Sequence, residues 1–94
     1  MHVLDALGNS VRRDILLELR AAPLPVTAIA ERFSVSRPAI SRHLRVLADA
    51  GLVESHESGA QNIYTIRVQG FGAVREFIDS FWDVALSRLE KLAE

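Results

Sequence analysis

Apolar residues recur at helical spacing through the first half of this chain and at alternate positions in a short stretch after it. Val11, Ile15, Leu16 and Leu19 mark one face of a helix from Ser10 to about Ala21, with Asn9 and Ser10 as N-cap residues. Pro23 and Pro25, bracketing Leu24, stop it. A shorter helix follows at about Thr27–Phe33, with Ile29, Ala30 and Phe33 inward. Ser34 and Val35 make a turn, and Ser36 caps the next helix, Arg37 to about Ala50. Pro38 is tolerated in the first turn of that helix, where its missing N–H has no intrahelical partner. Gly51 suits the C′ position that ends it. Ahead of these elements, Val3–Leu7 reads as a short apolar turn ending at Gly8.

After Gly51 the period drops from about 3.6 to about 2. Residues 52–56 and 62–67 read as two strands, and Glu57-Ser58-Gly59-Ala60-Gln61 carries the turn of a hairpin. Tyr64 is expected to pack in the core or within that hairpin. The remainder, Phe71–Ala93, is one long helix with Gly70 or Gly72 near its start. The expected fold is mainly α with a small β-hairpin, in the order ααααββα. Two helices joined by the short turn at Ser34–Ser36, followed by a hairpin, make a winged helix-turn-helix.

All 94 residues fit one domain, with no repeat and no linker. The composition, 49% hydrophobic and 24% charged, is that of a folded chain. No apolar run approaches the roughly 20 residues of a membrane span. The first five residues lack the basic start and apolar stretch of a secretory signal, so a cytoplasmic location is expected. There is no cysteine, which excludes disulfides, thiolate metal sites and a cysteine nucleophile. The net charge of −1 conceals an asymmetry. Residues 1–50 carry seven arginines against five acids, whereas residues 51–94 carry four basic residues against seven acids. Between Ser34 and Ala48 there are three arginines, one histidine and no acid. That strip is where a polyanion would bind.

On the helix after the turn, Ile40, Leu44 and Leu47 form the stripe that faces the core. Arg37, Ser41 and Arg45 lie elsewhere on the cylinder, with Pro38 and Arg42 beside them. Arginine can donate two parallel hydrogen bonds to a guanine edge or a phosphate, serine can bond either, and a proline ring can touch a thymine methyl. A major groove about 12 Å wide admits one such helix. Arg37, Ser41 and Arg42 stand at the N-terminal end that enters the groove, and Arg45, further along, meets phosphate. An arginine-bearing face also occurs as plain solvated surface. What weighs against that reading is the order of elements around it.

The stretch Ala6-Leu7-Gly8-Asn9-Ser10-Val11-Arg12-Arg13 with Ile15-Leu16 resembles the opening of the ArsR-like bacterial repressors. Ser36-Arg37-Pro38-Ala39-Ile40-Ser41-Arg42-His43-Leu44-Arg45-Val46-Leu47, followed by Ala50-Gly51-Leu52-Val53, resembles that family's recognition helix and its exit into the wing. The tail Phe81-Trp82-Asp83 with Leu86-Ser87-Arg88-Leu89-Glu90-Lys91-Leu92 is similar to a subgroup without metal ligands. The resemblance implies a winged-helix homodimer that binds an operator and represses transcription. It assigns DNA contact to Ser36, Arg37, Pro38, Ser41, Arg42, His43 and Arg45. Many relatives sense metal through a Cys-x-Cys pair or Asp/His clusters on the last helix. Here there is no cysteine and no histidine beyond His56. Relatives often carry arginine at the wing tip, where this chain has Glu57-Ser58-Gly59-Ala60-Gln61.

His2, His43 and His56 show no ligand spacing, so no metal and no cofactor is expected. His43 borders the buried stripe. A half-buried, hydrogen-bonded imidazole is its first reading, donation to DNA phosphate the second. Ser41 and His43 are two apart on a helix and do not face each other, and no nucleophile elbow or phosphate loop exists, so no enzyme is expected. Arg12 and Arg13 read as solvated surface, with the DNA backbone as their other destination.

Thirteen of the twenty-three positions from Phe71 to Ala93 are apolar. Phe71, Val74, Ile78, Phe81, Ala85, Leu89 and Leu92 form one stripe, and Phe77, Trp82 and Leu86 a second. One face is expected to cover the domain and the other to be buried by a partner. The acids Glu76, Asp79, Asp83, Glu90 and Glu94 disfavour a lipid surface. A second copy is therefore the expected partner, with residues 1–8 and 71–93 as dimerisation helices and Leu4, Phe77, Phe81, Trp82, Leu86 and Leu89 at the interface. The resulting function is sequence-specific binding of double-stranded DNA at a pseudo-palindromic operator. The alternative is a winged-helix protein-interaction module, consistent with the net-acidic second half.

Overall fold

The computed structural model describes residues 2–93, so Met1 and Glu94, at the ends of the expected domain, lie outside it. The elements run α1 (Val3–Ala6), α2 (Ser10–Ala21), β1 (Leu24–Pro25), α3 (Val26–Glu31), α4 (Arg37–Asp49), β2 (Val53–Ser58), β3 (Gln61–Ile66), a 3₁₀ turn (Val68–Phe71) and α5 (Gly72–Ala93). This is a winged helix-turn-helix, mostly helical with a small antiparallel sheet.

The helix starts follow from their caps. Asn9 Oδ1 accepts from the Arg12 amide at 3.1 Å, and Ser36 Oγ from the Ala39 amide at 3.3 Å. α4 ends in a Schellman turn: Gly51 N donates to Ala48 O and Leu52 N to Leu47 O, both at 3.0 Å. Gly51 supplies the φ of +79° that the turn requires. Leu52 is thereby aimed into the core, where it is fully buried. Ile15, Ile29, Ile40, Leu44 and Leu47 complete its centre, so the apolar stripe of α4 lies where its spacing put it.

Three differences from the sequence expectations have physical causes. Val3–Ala6 is a turn of helix, the first α of the expected order, where the local pattern read only as an apolar turn. His2 Nδ1 caps it by accepting from the Leu4 amide at 3.1 Å. The sheet has three strands in the order β1-β3-β2, because Leu24 and Pro25 pair with Tyr64 and Ile63 of β3. A proline can end a helix and still occupy an edge strand, since no ladder N–H is asked of it. The hairpin is longer than expected, and its loop is only Gly59-Ala60 between Ser58 and Gln61. Gly59, at φ +64°, takes the first position of that loop.

The largest difference is α5. Phe71 and Val74 pack against the core, but from Arg75 onward every described residue is exposed. A 22-residue helix is about 33 Å long, and its contacts with the domain, through the 3₁₀ turn, α1 and Val74, lie at its base. It therefore projects, and neither apolar stripe covers the domain. The radius of gyration is 17.0 Å, with extents of 63 × 25 × 24 Å. A compact chain of this length would have a radius of about 12 Å.

The base of α5 is fixed by a close backbone approach. A Cβ on Gly70 would fall 1.8 Å from Gly51 O. Gly70→Ala is expected to cost about 1–3 kcal/mol, as overpacking does. Gly72, with open space around it, should accept alanine at no loss. Equal urea midpoints for the two variants would contradict the contact.

Candidate nucleic-acid interface

α3 packs against α4 across residues 32–36, and the buried stripe of α4 turns its other sides outward. Arg37, Pro38, Ser41, Arg42 and Arg45 are all exposed. None of the three arginines is engaged in an ion pair among the described residues, in contrast to Arg32, which is held by Glu18. An unpaired cationic face has no internal use for its charge and is free to meet an anion. Ser36 is also exposed, but its hydroxyl oxygen is already the N-cap acceptor of α4. It positions the helix first.

His43 is half-buried, as its place beside the stripe predicts. Its Nδ1 lies 3.4 Å from Nη1 of Arg12. Desolvation, with the charges of Arg12 and then Arg42, holds its pKa below the ordinary 6.5. The imidazole is therefore neutral at pH 7. The unfolded chain takes up this proton near 6.5 and the folded chain only at lower pH. The contribution is full above that range and is lost as pH falls through it.

Sequence reasoning missed the work of Arg12 and Arg13. Arg12 Nε donates to Ala6 O at 2.7 Å and Nη2 to Asp5 O at 3.3 Å. Arg13 Nη1 donates to Leu7 O at 2.8 Å. Both satisfy carbonyls at the C-terminal end of α1, a role visible only once Val3–Ala6 is known to be a helix.

The wing offers no cation. Glu54, His56, Glu57, Ser58, Gln61 and Asn62 are exposed, and no Arg or Lys occurs between Arg45 and Arg67. His56 Nε2 stands 3.7 Å from Glu54. Among the described residues no three metal-ligating side chains come together, and no helix is long and apolar enough to cross a membrane.

At the far end of the molecule, Phe81, Trp82 and Leu89 are each more than 60% exposed. Phe77 and Phe81 stack edge-to-face with centroids 5.0 Å apart. Phe77 and Leu86 are also open, while Leu4 is half-buried at the base. Val3 and Ala6, by contrast, are buried in the chain's own core.

Comparison with known proteins bears on the fold and the family. A helix-turn-helix domain family matches residues 7–56. The HTH-type transcriptional regulator Rv2034 of Mycobacterium tuberculosis is 38% identical over 90 residues, covering 96% of this chain and 84% of that protein. The crystal structure of a possible transcriptional regulator for arsenical resistance superposes with a TM-score of 0.82 at 36% identity, over 97% of this chain and 95% of that one. The solution structure of a homodimeric winged helix-turn-helix DNA-binding domain from Mycobacterium bovis, a possible ArsR-family transcriptional regulator, gives a TM-score of 0.68 at 28% identity, over 84% and 73% of the two chains.

Proposed function

The chain belongs to the ArsR family of winged helix-turn-helix transcriptional regulators, DNA-binding proteins rather than enzymes, and from that premise we propose that it is a homodimeric repressor of a pseudo-palindromic operator. The observation that carries this reading is the pairing of two uncompensated surfaces. One is the cationic face of α4; the other is the apolar length of α5. Two copies joined along α5 and the base at Leu4 bury the second surface and place two of the first on one side. The homodimeric relative supports that assembly. Recognition helices about 34 Å apart meet successive major grooves, which is why the operator should repeat with inverted symmetry.

Within each half-site, Arg37, Ser41 and Arg42 are the base readers, Pro38 packs on the groove floor and Arg45 meets a phosphate. Arg37→Ala and Arg42→Ala should each lose about 1–3 kcal/mol of affinity for a duplex selected from a random pool. Arg45→Ala should weaken all duplexes alike and lower the salt dependence. Fluorescence anisotropy across a salt series reads both effects. Unchanged affinity in both Arg37→Ala and Arg42→Ala would remove these residues from base contact. Retention on random duplex DNA separates this function from a protein-interaction module, which would show none.

A further inference from the structure

Beside the groove-facing side of α4 lies a notch of 240 Å³ lined by Arg12, Ala39, Arg42, His43 and Val46. Three nitrogen-bearing side chains meet there, Arg12 from α2 and Arg42 and His43 from α4. No carboxylate pairs with any of them among the described residues. The charged groups acting on the imidazole are two: Arg42 on its own helix, and the Arg12 guanidinium from α2, itself held by the α1 carbonyls of Asp5 and Ala6. The guanidinium groups of half-buried Arg12 and exposed Arg42 are like charges without a counterion beside a neutral imidazole, and an anion would relieve their repulsion.

We propose that this notch is a phosphate-binding site, filled in the complex by a backbone phosphodiester of the bound duplex. The proposal rests on the DNA-binding reading above and adds a contact off the face that enters the groove. At 100° per residue Arg42 stands between the groove-facing Ser41 and Arg45 and the notch residues Ala39, His43 and Val46. A strand bordering the groove on that side therefore runs past the notch. Arg12 is pre-organised for it, because two hydrogen bonds to α1 already hold its guanidinium. With Arg12 facing Nδ1, the neutral imidazole carries its proton on Nε2 and offers one donor more. α1 touches both α4 and α5, so a phosphate seated here also ties the reading helix to the dimerisation base.

The test follows the His43 imidazole of the full chain by NMR through a pH titration, with His2 and His56 as internal references. It is run in chloride, in inorganic phosphate and with bound duplex. The proposal expects the His43 midpoint to rise with duplex while the references move less. A rise with inorganic phosphate as well would show that the notch takes a free phosphate too. A rise with phosphate but not duplex would keep the site and refute DNA as its source. No rise in either overturns the proposal.

Arg12→Gln should lower the slope of log K against log salt by about 1, the loss of one phosphate contact. Because Arg12 also fastens α1, His43→Gln provides a second variant. It should weaken binding severalfold with the slope unchanged. A wild-type slope in Arg12→Gln contradicts the proposal. If the wild-type chain binds no duplex at all, the repressor reading fails, and the inorganic phosphate titration still decides the notch.

Discussion

Trp82→Glu is expected to convert the protein into a monomer that keeps its fold and loses about 10²–10⁴-fold in operator affinity. Trp82 is 64% exposed in the single chain and touches none of its core, so the substitution removes nothing the domain needs. In a dimer along α5 the same position is enclosed with Phe81 and Leu86, and a carboxylate there has no partner. The affinity loss follows because the second recognition helix no longer binds as part of the same molecule. Sedimentation should give the mass of one chain, with the far-UV circular dichroism of the remaining helices kept. A dimer that persists would take α5 out of the interface.

Leu44→Ala should destabilise the domain by about 2–5 kcal/mol, the usual cost of emptying a fully buried leucine site. Leu44 is 0% exposed, between Ile40 and Leu47 on α4 and against the rest of the core. A domain of this size has about 5–15 kcal/mol in total, so much of its margin disappears. Each kcal/mol is worth about 4–8 °C of Tm in a chain this short. Leu17 is the control: it is 52% exposed, and alanine there should stay within about 0.5 kcal/mol of wild type. Both must be measured at one protein concentration, because the proposed dimer would contribute to stability. Equal thermal midpoints for the two variants would contradict the assignment of α4 as the element whose packing aims the arginines.

The part of the fold nearest the proposed site was the most legible in the sequence. α4 carries every signal at once: Ser36 at the cap, Pro38 in the first turn, Ile40, Leu44 and Leu47 at helical spacing, and Gly51 at the end. Its exposed arginines then follow from the same geometry that buries its leucines. Short elements were not legible. α1 has four residues and β1 has two, too few to show a period, and Pro25 signals a helix stop as readily as an edge strand. With α1 hidden, the capping work of Arg12 and Arg13 was hidden too, since its acceptors are backbone carbonyls. The composition of α5 led to the expectation of a face left uncovered, and from Arg75 onward the described helix is exposed. Composition did not reveal that the helix leaves the domain after Val74, because that depends on tertiary packing at its base, where Phe71 and Val74 meet the core.

The wing stands apart from the rest of the interface. Glu54 and Glu57 face the solvent where a phosphate-seeking wing would carry arginine. Under the proposed function, affinity would then come mainly from α4 and the residues beside it.

Methylation interference at guanine N7 on a selected operator reaches the central claim most directly, because N7 lies in the major groove. Two clusters of interfering guanines about ten base pairs apart are expected, related by inverted symmetry and both lost in Arg37→Ala with Arg42→Ala. A single cluster, or binding that ignores N7 methylation altogether, would contradict a pair of α4 helices reading the groove.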